Sequence, residues 1–116
     1  MKVIWLHSNF LTQIEGLSHL ANLRVLHLHN NRITSLHGLK GLTDLDTLNL
    51  SSNIIKNLDG IGYVPNLTNL YIARNFLRTA DDLCPVMNCS KLIVFDVSEN
   101  RLEEEEVLSI SRATPS

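Results

Sequence analysis

LRVLHLHNNRI, residues 23–33, places leucine at 23, 26 and 28, asparagine at 31 and isoleucine at 33. Shifted on by 22 residues, the same template meets Leu45, Leu48, Leu50, Asn53 and Ile55. A further 22 gives Leu67, Leu70, Ile72, Asn75 and Leu77, and 22 backwards gives Met1, Ile4, Leu6, Asn9 and Leu11. A longer step of 25 reaches Leu92, Phe95, Val97, Asn100 and Leu102. The first four copies also continue with apolar pairs three and six residues on: Ile14 and Leu17, Leu36 and Leu39, Leu58 and Ile61, Ala80 and Leu83. One unit is therefore repeated five times, beginning near residues 1, 23, 45, 67 and 92 of a single domain, 1–116.

The spacing carries a physical reading. Within LxLxx the apolar residues alternate, so the segment is a short strand with one face inward. A single unit cannot bury that face alone, and stacking sets equivalent strands about 4.8 Å apart in a parallel sheet. The return limb is short and punctuated by glycine, which predicts turns and 3₁₀ pieces. The expected fold is an α/β solenoid of leucine-rich repeats, with a parallel sheet on the concave face and turn or 3₁₀ outer limbs. A C-terminal helix over about 103–112 is expected to cover the last repeat with Val107, Leu108 and Ile110. Its run Glu103–Glu106 sits in the first turn, where the helix dipole favours negative charge. The extra residues before the last copy surround Cys84 and Pro85, and a longer outer limb with a helical turn is expected there, ended by Pro85.

Asn9, Asn31, Asn53, Asn75 and Asn100 hold one position in all five copies. The chain turns there and its peptide groups need partners. An amide side chain both donates and accepts, so a ladder of structural asparagines is expected.

Composition narrows the function classes. A formal charge of −2 over 116 residues gives no electrostatic reason to expect nucleic acid or an anionic membrane. No apolar run approaches the roughly 18 residues of a spanning helix, and residues 1–6 are too short for a secretory core. Cys84 and Cys89 lack paired zinc-site spacing and read as reduced, partly buried thiols. Sequons at Asn49, Asn66 and Asn88 carry little weight without a secretory route.

Strand residues that do not point inward form rows across the stack. The middle row is Trp5, His27, Asn49, Tyr71 and Asp96, and the next is His7, His29, Ser51, Ala73 and Ser98. The third is Val3, Val25, Thr47, Asn69 and Val94. Aromatic and histidine side chains on a rigid sheet are typical anchors for a protein partner. The candidate binding set is Trp5, His7, His27, His29, Asn49, Tyr71, Arg74 and Asp96. His7, His27 and His29 could converge on a metal, but no carboxylate joins them, and they read as an exposed patch with no metal. No GxSxG, phosphate loop or HExxH occurs, so neither catalysis nor a cofactor is expected.

The 22-residue repeat and its outer limb resemble those of the axonemal dynein assembly factors with leucine-rich repeats. The specific stretch is LDTLNLSSNIIKNL, residues 45–58, joined by the longer step before Leu92, the segment FDVSEN (residues 95–100) and EVLSI (residues 106–110). That resemblance implies a cytoplasmic or ciliary protein that helps preassemble dynein arms, with dynein subunits or assembly chaperones as partners. The same repeat class includes regulators of type 1 protein phosphatase, which gives the alternative: a regulatory subunit.

At the N-terminal end Met1, Ile4, Leu6 and Leu11 have no preceding repeat in this sequence. Self-association there, or fraying of the first repeat, is expected.

Overall fold

The computed structural model describes residues 3–101 of the chain. Five strands of three residues each, β1 (Val3–Trp5), β2 (Val25–His27), β3 (Thr47–Asn49), β4 (Asn69–Tyr71) and β5 (Val94–Asp96), form one sheet in sequence order. Every neighbouring pair is parallel, and the register follows the repeat: Val3 opposite Val25, then Thr47, Asn69 and Val94. The ladder continues past the strands, because Leu6, Leu28, Leu50 and Ile72 each donate their N–H to a carbonyl of the following repeat at 2.7–2.8 Å. The central strand residues Leu26, Leu48 and Leu70 are wholly inaccessible and stack into one column. Ile4, the first member of that column, and Leu6 two residues on are only partly buried. The body measures 39 × 28 × 18 Å.

The outer limbs follow a period of three. Leu36, Leu39, Leu42 and Leu45 are all fully buried, and each donates its N–H to the carbonyl three residues before it, from Leu39 onward. The same ladder runs through Leu58, Ile61, Val64 and Leu67. Three residues per turn stack every third side chain on one side, which is the geometry of a 3₁₀ helix. Regular 3₁₀ turns form at His37–Leu39 and Ile61–Tyr63. In the fourth repeat the inward series runs Ala80, Leu83, Val86, Cys89 and Leu92, one triad longer, and this accounts for the 25-residue step.

That longer limb starts with a helical turn, α1 (Ala80–Leu83), capped by Thr79 and by Asp82 reaching back in a capping box. The chain stays helical through Pro85, as a 3₁₀ segment Cys84–Asn88, rather than ending there as the sequence suggested. Proline near the start of this segment needs no hydrogen bond from its missing N–H. Cys84 is a second correction. It is exposed, because Leu83 and Val86 take the inward positions on either side of it, while Cys89 is buried. The expected helix over 103–112 lies outside the described residues. Among the described residues, no helix is long and apolar enough to cross a membrane.

The asparagine column joins each repeat to the one before. Asn53 Oδ1 accepts the Ile33 N–H at 2.9 Å, and its Nδ2 donates to the carbonyls of Leu28 at 3.0 Å and Leu50 at 2.9 Å. Asn31, Asn75 and Asn100 repeat the arrangement with Leu11, Ile55 and Leu77 as N–H donors. Asn31, Asn53 and Asn75 are buried, whereas Asn9 is exposed, and among the described residues its Nδ2 donates to Leu6 and His7 of its own turn. Asn53→Ala is expected to destabilise the fold by about 1–3 kcal/mol, since it strands buried peptide groups in two repeats. The urea midpoint measures this, and a shift within error would show those groups finding other partners.

The residue before each asparagine, Ser8, Asn30, Ser52, Arg74 and Glu99, has a left-handed backbone with φ between 54° and 59°. None is glycine. The bend there turns the chain out of the sheet and aims the asparagine inward.

Candidate partner-binding face

The exposed side of the sheet presents the rows expected from the period of two. Their side chains are ordered by one another. Trp5 and His27 lie face to face, with centroids 3.7 Å apart and planes 10° from parallel. His7 and His29 stack likewise at 4.6 Å and 6°. The two stacks meet edge to face: Trp5 with His7 at 5.7 Å and 75°, and His27 with His29 at 5.9 Å and 84°. Parallel strands in register bring equivalent side chains close enough for this contact. The second member of each stack is half-buried by the first, while Trp5 stays 61% exposed.

Burial holds the His27 imidazole below its ordinary value, and the neighbouring His7 adds to the effect. His29 is lowered by burial first, then by His7 and His27. A lowered folded value favours the neutral ring, so His27 and His29 carry less positive charge than two free histidines would. Among the described residues, Nδ1 of both His27 and His29 is buried without a hydrogen-bond partner. The rings pair face to face within each stack and edge to face between stacks, and the described residues hold no group of three or more ligands suited to a metal ion.

The face becomes polar toward β5. Asn49 Oδ1 accepts the Ser51 N–H at 3.1 Å, and Asp96 Oδ1 accepts that of Ser98 at 3.0 Å, so both are held against their own strands. The Tyr71 hydroxyl accepts a hydrogen bond from Asn69 Nδ2 at 3.4 Å. Tyr71 and Asp96 are half-buried. Arg74 stands apart from the rows. It lies in the left-handed turn beyond β4, exposed, and its Nε meets Glu99 Oε2 at 2.6 Å. Seven of the eight candidate residues thus share one surface, and Arg74 borders it.

Two features escaped the sequence reading. One is the pairing of rings into stacks. The other lies on the flank where the chain leaves the sheet: Arg32 sits over the Phe10 ring at 4.8 Å, and Arg101 over Phe76 at 4.5 Å. Reading the column one place after each asparagine (Phe10, Arg32, Ile54, Phe76, Arg101) would have shown the alternation of arginine and aromatic residues.

Comparison with known proteins agrees with this architecture. Residues 21–63 match the family model described as leucine-rich repeats in two copies. No curated protein matches the chain. Among solved structures, internalin C2 of Listeria monocytogenes is similar, with a TM-score of 0.82 and 29% identity over 94% of this chain and 47% of that one. An internalin of the same organism has a TM-score of 0.79 at 23% identity, over 96% of this chain and 31% of its own. A leucine-rich-repeat protein of Leptospira interrogans has a TM-score of 0.80 at 25% identity, over 97% of this chain and 29% of its own. The chain therefore spans less than half the length of each of these structures.

Proposed function

From a leucine-rich-repeat solenoid, a fold typically used as a non-catalytic protein-interaction scaffold, we propose a scaffold whose partner docks on the concave sheet face, in the cytoplasmic preassembly of axonemal dynein arms for cilia or flagella. The observation that carries the binding reading is Trp5, more than half exposed yet fixed against His27 on a hydrogen-bonded sheet. A large ring held in one orientation loses little entropy when a partner covers it. The dynein reading is supported by the resemblance in residues 45–58, 95–100 and 106–110, and implies dynein subunits or assembly chaperones as partners.

Trp5→Ala and Tyr71→Ala are each expected to weaken partner binding by about 1–2 kcal/mol, roughly 5- to 30-fold, with an unchanged fold. Titration calorimetry against a partner recovered from ciliated cells measures it. If both variants bind as the parent does, the concave face is not the main interface. Loss of the protein should remove dynein arms, and intact arms would overturn the dynein role. Recovery of a type 1 phosphatase catalytic subunit instead would move the role to phosphatase regulation.

The proposal extends to contact between copies through the first repeat. Val3 and Trp5 of β1 are exposed, and among the described residues β1 pairs on one side only. Such an edge is a template for another strand. Light scattering should show mass rising with concentration, and a constant monomer mass refutes this part.

A further inference from the structure

We propose that the flank beyond the strand ends holds a binding site for a run of peptide carboxylates. An open cleft of about 460 Å³ lies there, lined by Lys56, Asn57, Phe76, Arg78, Asp82 and Arg101. Lys56 and Arg78 hold the same position, three residues after Asn53 and Asn75, so the repeat sets them side by side on successive turns. Arg101 comes from the next repeat and rests on the Phe76 ring, which orients the guanidinium without neutralising it. Both ion pairs among the described residues, Arg24–Asp46 and Arg74–Glu99, lie elsewhere. The three cations therefore meet no matching described carboxylate.

Asp82 also lines the cleft, but its Oδ2 accepts the backbone N–H groups of Arg78 and Thr79 at 3.0 and 3.2 Å. Its charge is committed to the start of α1, and the described lining residues carry an excess of two positive charges. Equivalent backbone positions on successive repeats, such as those of Lys56 and Arg78, stand about 5 Å apart along the stack. That separation suits acidic side chains along a peptide better than one compact anion. Arginine meets a carboxylate through paired N–H donors, and Asn57 adds an amide beside them. The sequence offers one acidic run of its own, Glu103–Glu106, two residues after Arg101. An acidic segment of another molecule presents the same chemistry.

The test uses fluorescently labelled hexaglutamate, with hexaglutamine as control, on the full chain and on the variant E103Q/E104Q/E105Q/E106Q. Expected is binding of hexaglutamate by the glutamine variant, weakening as salt rises, and a loss of at least tenfold when K56Q/R78Q is added. Lys56 and Arg78 are exposed, so these substitutions should leave the melting temperature unchanged. Weaker binding by the parent than by the glutamine variant assigns the site to the chain's own run. Equal binding assigns it to an external segment. No binding by either protein, or binding indifferent to K56Q/R78Q, overturns the site.

Discussion

Leu48→Ala is expected to cost about 3–5 kcal/mol, the upper part of the range for a buried leucine. Leu48 is wholly inaccessible at the centre of β3 and lies in register between Leu26 and Leu70. The cost of such a cavity depends on how far its walls can collapse. Here the walls are strands tied to neighbours on both sides, so they cannot close without breaking ladder bonds. A solenoid repeat contacts only its neighbours, so a lesion in the middle weakens two interfaces at once. Leu6→Ala, at a half-buried position in the first repeat, should cost distinctly less. Urea unfolding of the two variants checks this. Equal losses would mean that the stack does not behave as a chain of nearest-neighbour interfaces.

Gly38→Ala should cost about 3 kcal/mol or more, at or above the usual upper bound for overpacking. A Cβ there would sit 1.7 Å from the Ile14 carbonyl oxygen and 2.5 Å from its carbon. The obstacle is backbone of the preceding outer limb, which no rotamer change can move aside. Gly62→Ala provides the control, since nothing lies within 4 Å of its added methyl group. That change removes freedom from the unfolded chain and should be neutral or stabilising by up to about 1 kcal/mol. Thermal unfolding of the pair decides it, and a Gly38→Ala melt matching the parent would show the outer limbs to be loosely stacked.

Much of this was legible in the sequence. The 22-residue step places the first four strands, because inward Leu26, Leu48 and Leu70 differ in nothing but copy number. The structural role of Asn31, Asn53 and Asn75 follows from the same recurrence, since a turn that buries peptide groups needs a side chain that gives and takes hydrogen bonds. The outer limb was less legible. Its apolar positions were read only at three and six residues after each copy's last strand-motif residue, and the onward series through Leu42 and Val64 was overlooked. Followed to its end, that series would have explained the 25-residue step and turned Cys84 outward.

The face was legible in its rows and illegible in its contacts. Sequence places Trp5, His27, His7 and His29 on one surface, but stacking is decided by side-chain rotamers, which the period does not specify. Arg74 adjoins the rows in sequence but lies in the turn beyond them. The left-handed backbone that carries it past the sheet shows in no residue preference, since serine, asparagine, arginine and glutamate all occupy that column. The cationic cleft was hidden by averaging: a net charge near zero says nothing about which side of a solenoid the charges share.

The constant strand register also governs what inheritance can do with this chain. Duplicating or deleting 22 residues brings a strand against a neighbour face like the one it left, so no new contact has to be invented. Three residues added to an outer limb lengthen it by one turn, as the limb from Ala80 to Leu92 already illustrates. A single-residue slip within a strand would send its leucines to the opposite face. Changes of 22 residues, or of three in an outer limb, thus keep the inward positions inward, whereas a slip within a strand does not. Repeat number is the variable a lineage can adjust, with each duplication widening the sheet by about 4.8 Å.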